Sequence, residues 1–180
     1  MASVQTLSEA DRRVVARWAL ACAEHVLPLF EADAAAEAEI RDAVDRTRAY
    51  SAGEGSSAGE IRKRLIAGRA AKAASSPAGT AAARSVAQAA AVAHMGAHAL
   101  GAAAYAVKAV SLTDAATPDH VQQEIDWQVA QLTDRERAAL RLLPPLGSDA
   151  SGPLGEGLLA RGILGDTIRQ LQSRISGEGQ

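Results

Sequence analysis

Ala87-Gln88-Ala89-Ala90-Ala91-Val92-Ala93-His94-Met95-Gly96-Ala97-His98-Ala99-Leu100-Gly101-Ala102-Ala103-Ala104-Tyr105-Ala106-Val107-Lys108-Ala109-Val110 is the stretch on which the fold turns, because alanine fills half of it and nothing in it alternates apolar with polar. Alanine is the strongest helix former, and a helix that is apolar nearly all round belongs in the middle of a domain. Ser75-Ser76-Pro77 ahead of it reads as an N-cap followed by proline in the first turn. One helix from there to Val110 would be about 50 Å long, against about 40 Å for the width of a compact domain of this size. It is therefore expected to start late or to bend near Gly96 or Gly101. The run is long enough to raise a membrane span, but its alanine content and His94, His98 and Lys108 favour a buried central helix.

The same reasoning extends outward in both directions. Ser8, with Glu9 and Asp11 behind it, opens a predicted helix over about 8–29, in which Val14, Val15, Trp18, Cys22, Val26 and Leu29 recur at helical spacing. A second helix is predicted over about 35–51, ended by the Gly-Ser stretch 53–57, and a basic third over about 59–74. Thr117-Pro118 repeats the cap-and-proline start for a helix over about 118–132, and Thr133-Asp134-Arg135-Glu136 has capping-box spacing for a short one ended by Pro144-Pro145. Residues 147–157, rich in Gly, Ser and Pro, read as a flexible linker to a last amphipathic helix over about 158–175. The expectation is an all-α fold, a single-domain bundle of six to seven helices with a long alanine-rich central helix. Its parts are a helical domain over 1–146, the linker, and a C-terminal helix and tail over 158–180. In that tail Leu164, Ile168, Leu171 and Ile175 form one apolar seam that something must cover, and a homodimer through this helix is the leading expectation, ahead of docking back on the same chain.

Composition narrows the function classes. With a net charge of −2 there is no broad basic field for a phosphate backbone, so nucleic acid is not expected as a partner. Met1 to Arg13 lacks the layout of a secretory signal, and the single cysteine, Cys22, cannot form an internal disulfide; a cytoplasmic location is expected. At 100° per residue His94, His98, Gly101, Tyr105 and Lys108 fall within about 80° of one another on a helical wheel. That stripe is either the strip that meets solvent or the lining of a cleft. On the first helix Trp18, Cys22 and His25 share another face, usually a core arrangement. Cys22-x-x-His25 with His94-x-x-x-His98 could supply zinc ligands from two helices, but nothing pairs them in space, and neither a metal nor a cofactor is expected. His94 and His98 could instead serve as general acid and base with Tyr105 as donor. The known nucleophile, phosphate-loop and zinc-protease patterns are missing.

Two stretches, Trp18-Ala19-Leu20-Ala21-Cys22-Ala23-Glu24-His25-Val26-Leu27-Pro28-Leu29-Phe30-Glu31 and the run from Ala93 to Val110, carry a resemblance. The chain resembles the all-α bacterial "putative immunity protein" family over about 7–143, most specifically in its His-x-x-x-His and Ala-x-Tyr-Ala-x-Lys-Ala-Val run. The resemblance implies a small cytoplasmic protein that neutralises a toxin made by the same or a neighbouring cell. It also marks two departures, His25 where members often carry arginine and the tail after Pro145. The resulting expectation is a self-protection protein that binds a cognate toxin or a toxic small molecule in a helical cleft, with Trp18, Cys22, His94, His98, Tyr105 and Lys108 as ligand-binding residues. The alternative is a small helical enzyme of a secondary-metabolite pathway with a His/Tyr acid–base site, and a third reading is a structural dimer without a ligand.

Overall fold

In the computed structural model, which describes residues 3–63 and 65–177, five helices start at a side-chain cap. Ser8 accepts the Asp11 N–H at 3.0 Å to open α1 (Glu9–Val26), and Asp33 accepts that of Ala36 at 2.9 Å to open α2 (Ala34–Ser51). The basic stretch forms two short pieces, α3 (Ser57–Lys63) and α4 (Ile66–Ala70). Ser76, with Pro77 behind it, caps α5 (Pro77–Ala91) through the Gly79 N–H at 3.0 Å. After α6 (His98–Ser111), Thr117-Pro118 starts α7 (Pro118–Ala130) and a complete Thr133/Glu136 capping box starts α8 (Asp134–Leu140). The last helix is α9 (Gly162–Ser176). The fold is all-α and a single domain; among the described residues the only extended pairing is an isolated bridge between Asp149 and Gly155.

The alanine run does bend near Gly96, and so sharply that the expected long central helix becomes two, α5 and α6, folded back on each other through 92–97. The reason lies in the N-terminal segment. A 3-10 turn at Val4–Thr6 brings two carbonyls to this bend, where Thr6 O accepts the Gly96 N–H and Gln5 O the Ala97 N–H, both at 3.0 Å. These N–H groups lie where a continuous helix would have kept them for its own carbonyls. Gly96 also has no room for a side chain, since a Cβ there would lie 2.5 Å from Leu7 Cδ1. Folding back turns alanine against alanine: Ser85 Oγ donates to Ala102 O at 2.7 Å, so the two backbones approach within one short side chain of each other.

The result is a wrapped α6. Ala99, Leu100, Ala102, Ala103, Ala104, Ala106, Val107 and Ala109 are fully buried, and α1, α5, α7 and α9 pack around the helix. Among the described residues no helix is long and apolar enough to cross a membrane.

Two C-terminal features bear on the seam and the linker. Gly162, at φ +53, turns the chain from a short 3-10 turn (Leu158–Ala160) into α9, so the helix starts later than predicted. Leu164, Ile168, Leu171 and Ile175 are then buried with α9 lying on α6 of the same chain, so the seam supplies no argument for a second copy. The 147–157 stretch is tied to the N-terminus. Buried Gln5 donates from Nε2 to Asp149 Oδ2 (2.7 Å) and Ser151 O (2.8 Å), and its Oε1 accepts the N–H of fully buried Leu154 (2.9 Å).

Each seam residue contributes about 1.5–3 kcal/mol by burial, so their sum rivals the 5–15 kcal/mol that typically holds a domain together. A chain ending at Leu146 is therefore expected to lose its cooperative thermal transition by circular dichroism and to bind an apolar dye. An unchanged transition would show that α6 does not depend on α9.

Candidate functional site

The bend and the hairpin together create a groove. On α5, Pro77, Thr80, Ala81, Arg84 and Gln88 recur at spacings that put them on one face, and on α6, His98, Tyr105, Lys108 and Leu112 do the same up to the helix end. Between these faces lie two depressions that share Tyr105. The first, of ≈ 420 Å³, has Gln88, His98 and Tyr105 as floor and His94 and Met95 at one end; Gly152, Pro153, Gly157, Leu158 and Leu159 form its outer wall. The second, of ≈ 580 Å³, continues past Tyr105 to Arg84, Lys108, Thr80, Ser75 and Ser76. The segment read as a linker thus supplies a wall of the first depression, held there by Gln5. Gly152, at φ +81, must be glycine on two counts, because a Cβ would also lie 2.6 Å from Gln5 Oε1.

Four of the six residues singled out from the sequence meet along this groove. His98 is half-buried and its Nδ1 lies 2.8 Å from Gln88 Oε1; with the amide oxygen facing the ring, Nδ1 donates. His94 is exposed in the bend, its ring centroid 6.5 Å from that of His98. Tyr105 is only 3% exposed, and among the described residues its hydroxyl has no hydrogen-bond partner. Lys108 places Nζ 6.0 Å from the Tyr105 ring centre, at the outer limit of a cation–π contact. Arg84 and Lys108 form no ion pair among the described residues, and neither depression is lined by a carboxylate.

Trp18 and Cys22 do not reach the groove. Trp18 is fully buried and its indole N–H donates to Gln128 O at 2.8 Å. Gln128 in turn donates to Ala103 O (3.1 Å) and to Glu124 Oε1 (3.0 Å), and Glu124 Oε2 holds His25 Nδ1 at 2.8 Å while the His25 ring stacks on Trp127 at 3.7 Å. Beside this chain Arg17 forms a two-pronged pair with buried Glu136 at 2.5 and 2.6 Å. These contacts fasten α1 to α6, α7 and α8. Burial, seconded by the nearby Glu124 and Glu136 carboxylates, pushes the Cys22 thiol well above its ordinary range, so it is a packed, protonated group rather than a nucleophile. His25 and His98 engage different partners, Glu124 and Gln88, and among the described residues no three His, Cys, Asp or Glu side chains converge as metal ligands.

Sequence reasoning missed Arg84 and Gln88. On one continuous helix Arg84 would stand about 36 Å from Lys108; the fold-back alone puts them in the same depression. The available signals were the excess length of a single helix and the glycines at 96 and 101, which mark a bend but not its sharpness.

Two expected outcomes follow for the interior. Trp18→Ala removes a large buried ring and a buried donor, and should lower the unfolding free energy by about 3 kcal/mol or more in urea titration; a change within about 0.5 kcal/mol would place Trp18 outside the core. Cys22 should resist an aromatic disulfide reagent at pH 8 in the folded chain and react fully in guanidinium, and fast reaction in the folded state would contradict its burial.

A family model described as "Imm-5 like putative immunity protein" matches residues 5–135 of the chain. No curated protein and no solved structure matches it.

Proposed function

The chain belongs to the Imm-5 like putative immunity protein family, and on that premise we propose that it protects by binding a toxic agent in the groove between α5 and α6. Membership supports an immunity-type role. The observation that carries the rest is Tyr105: its ring is buried where the two depressions meet, and its hydroxyl, which has no hydrogen-bond partner among the described residues, is open to the groove and placed to bond whatever the groove receives. His94, His98 and Lys108 line the same groove and offer further polar contacts, while Met95, Pro153, Leu158 and Leu159 supply apolar surface. Trp18 and Cys22 support the site from the interior, by fixing α1 against the hairpin, instead of touching the agent. The enzyme reading would use the same groove, with His94 and His98 moving a proton.

Depressions of this volume lie within the range of small-molecule sites, which favours a toxic small molecule, or one protruding group of a toxin, over a broad protein interface. The test is growth rescue in a host that also expresses whichever of the adjacent genes arrests growth. Tyr105→Phe and His98→Ala should each lower rescue at least about tenfold, the equivalent of one lost charged or buried hydrogen bond, while melting temperature stays within about 4 °C of the parent. Full rescue by both variants at equal protein level would remove the groove from the mechanism.

A further inference from the structure

The two halves of the groove differ in chemistry. Around the histidine half, Met95, Pro153, Leu158 and Leu159 give an apolar surface, and Leu158 is 65% exposed at its rim. In the other half Arg84 and Lys108 stand together, neither neutralised by an ion pair among the described residues and neither facing a carboxylate in the lining. Thr80, Ser75 and Ser76 line the same depression, which lies at the start of α5, the positive end of that helix's dipole. Between the halves sits Tyr105, its ring buried and its hydroxyl, a donor without a partner among the described residues, open to both depressions.

We propose that the basic half of the groove is an oxyanion site and that the agent bound is an amphiphilic small molecule, with a carboxylate or phosphate head on Arg84 and Lys108, an acceptor at Tyr105 and an apolar body against Leu158. This rests on the reading of the groove as the binding site and adds the ligand class. Two like charges in one depression repel each other until an anion sits between them, and a planar guanidinium matches the two oxygens of a carboxylate or phosphate. His98 and Lys108 are ten residues apart on α6, so the ligand spans about 15 Å from head to body. An eight-carbon chain with one head group has the reach for most of that length.

The probes are octyl phosphate and octanoate, each set against inorganic phosphate and octanol, titrated below micelle formation into the full chain and followed by amide chemical shifts. Either amphiphile should bind at least tenfold more tightly than octanol and than inorganic phosphate, moving the amides of Thr80, Arg84 and Lys108 with those of Met95 and Leu158. The relative affinity of octyl phosphate and octanoate tells which head group is preferred. In the Arg84→Gln/Lys108→Gln double variant, whose altered side chains are exposed or half-buried, the preference over octanol should fall at least tenfold while octanol still moves Leu158. Equal affinity of wild type for octanol and both amphiphiles, an unaltered preference in the double variant, or no binding at all would overturn the oxyanion site. Those results leave the Tyr105→Phe and His98→Ala rescue assay to judge the groove by itself.

Discussion

Everything in this chain depends on two backbone hydrogen bonds that are not made inside a helix. Thr6 O and Gln5 O take the N–H groups of Gly96 and Ala97, and with them the only stretch able to form a 50 Å helix becomes a hairpin. The arrangement carries its own strain. Leu7, the residue that joins the N-terminal turn to α1, has φ +62 and ψ 168, a conformation that side chains other than hydrogen adopt at a cost of about 1–3 kcal/mol. Its side chain is what fills the space above Gly96. The strain persists because releasing it would leave the Gly96 and Ala97 donors unpaired and uncover the end of the hairpin, a larger loss.

From that bend the remaining architecture follows. Once α6 runs back along α5, its alanine surface can be covered on all sides, and three further helices close on it. The polar groups that fasten them run from the interior to the surface and are satisfied in sequence: Trp18 on Gln128, Gln128 on Ala103 and Glu124, Glu124 on exposed His25, exposed Arg17 on buried Glu136. Gln128 Oε1 is the exception, buried without a partner among the described residues. This seam has the residue types of an active site and the geometry of a fastening. Its carboxylates are committed to neighbours and its cysteine is sealed, whereas the groove between α5 and α6 holds cations and a phenol that have no ion-pair or hydrogen-bond partner among the described residues. Satisfied polar groups stabilise a fold, and unsatisfied ones at a concave surface are what a ligand can use.

Much of this was legible from residues alone, for identifiable reasons. Helix starts at Ser8, Ser76-Pro77, Thr117-Pro118 and Thr133 depend on a few adjacent atoms, and local chemistry suffices to place them. The stripe from His94 to Lys108 survived the break in its helix because His94 sits within one turn of α6 and stays beside His98. What was not legible is everything that needs two distant segments at once. Gln5 is an unremarkable polar residue until it meets Leu154 and Asp149, 149 and 144 positions away in sequence. Arg84 looks like a solvated charge until the hairpin sets it beside Lys108. A Gly-Ser-Pro stretch carries no periodicity to show that it packs, so 147–157 gave a linker and not the wall of a cleft. Trp18 and Cys22 share a face, as read, but the direction of that face depends on α7, which the pattern on α1 cannot report.

The span of the family match adds a last step. Residues 5–135 contain Gln5 and Thr6 of the N-terminal turn, the bend, the whole basic depression and the floor of the histidine depression, while Gly152 to Leu159 lie beyond it. On the reading proposed here, the head of the ligand is received by matched residues and its body by unmatched ones. The two parts are joined by Gln5, which from inside the matched span holds both the bend, through its carbonyl, and the wall, through its side chain. A change in residues 152–159 can therefore alter which apolar body fits without disturbing the cations that hold the head, so long as Gln5 keeps the carbonyl, the carboxylate and the N–H that fix the wall in place. Affinity for the charged group and choice among bodies would then be separable properties of one groove, because they rest on different elements that meet at a single buried amide.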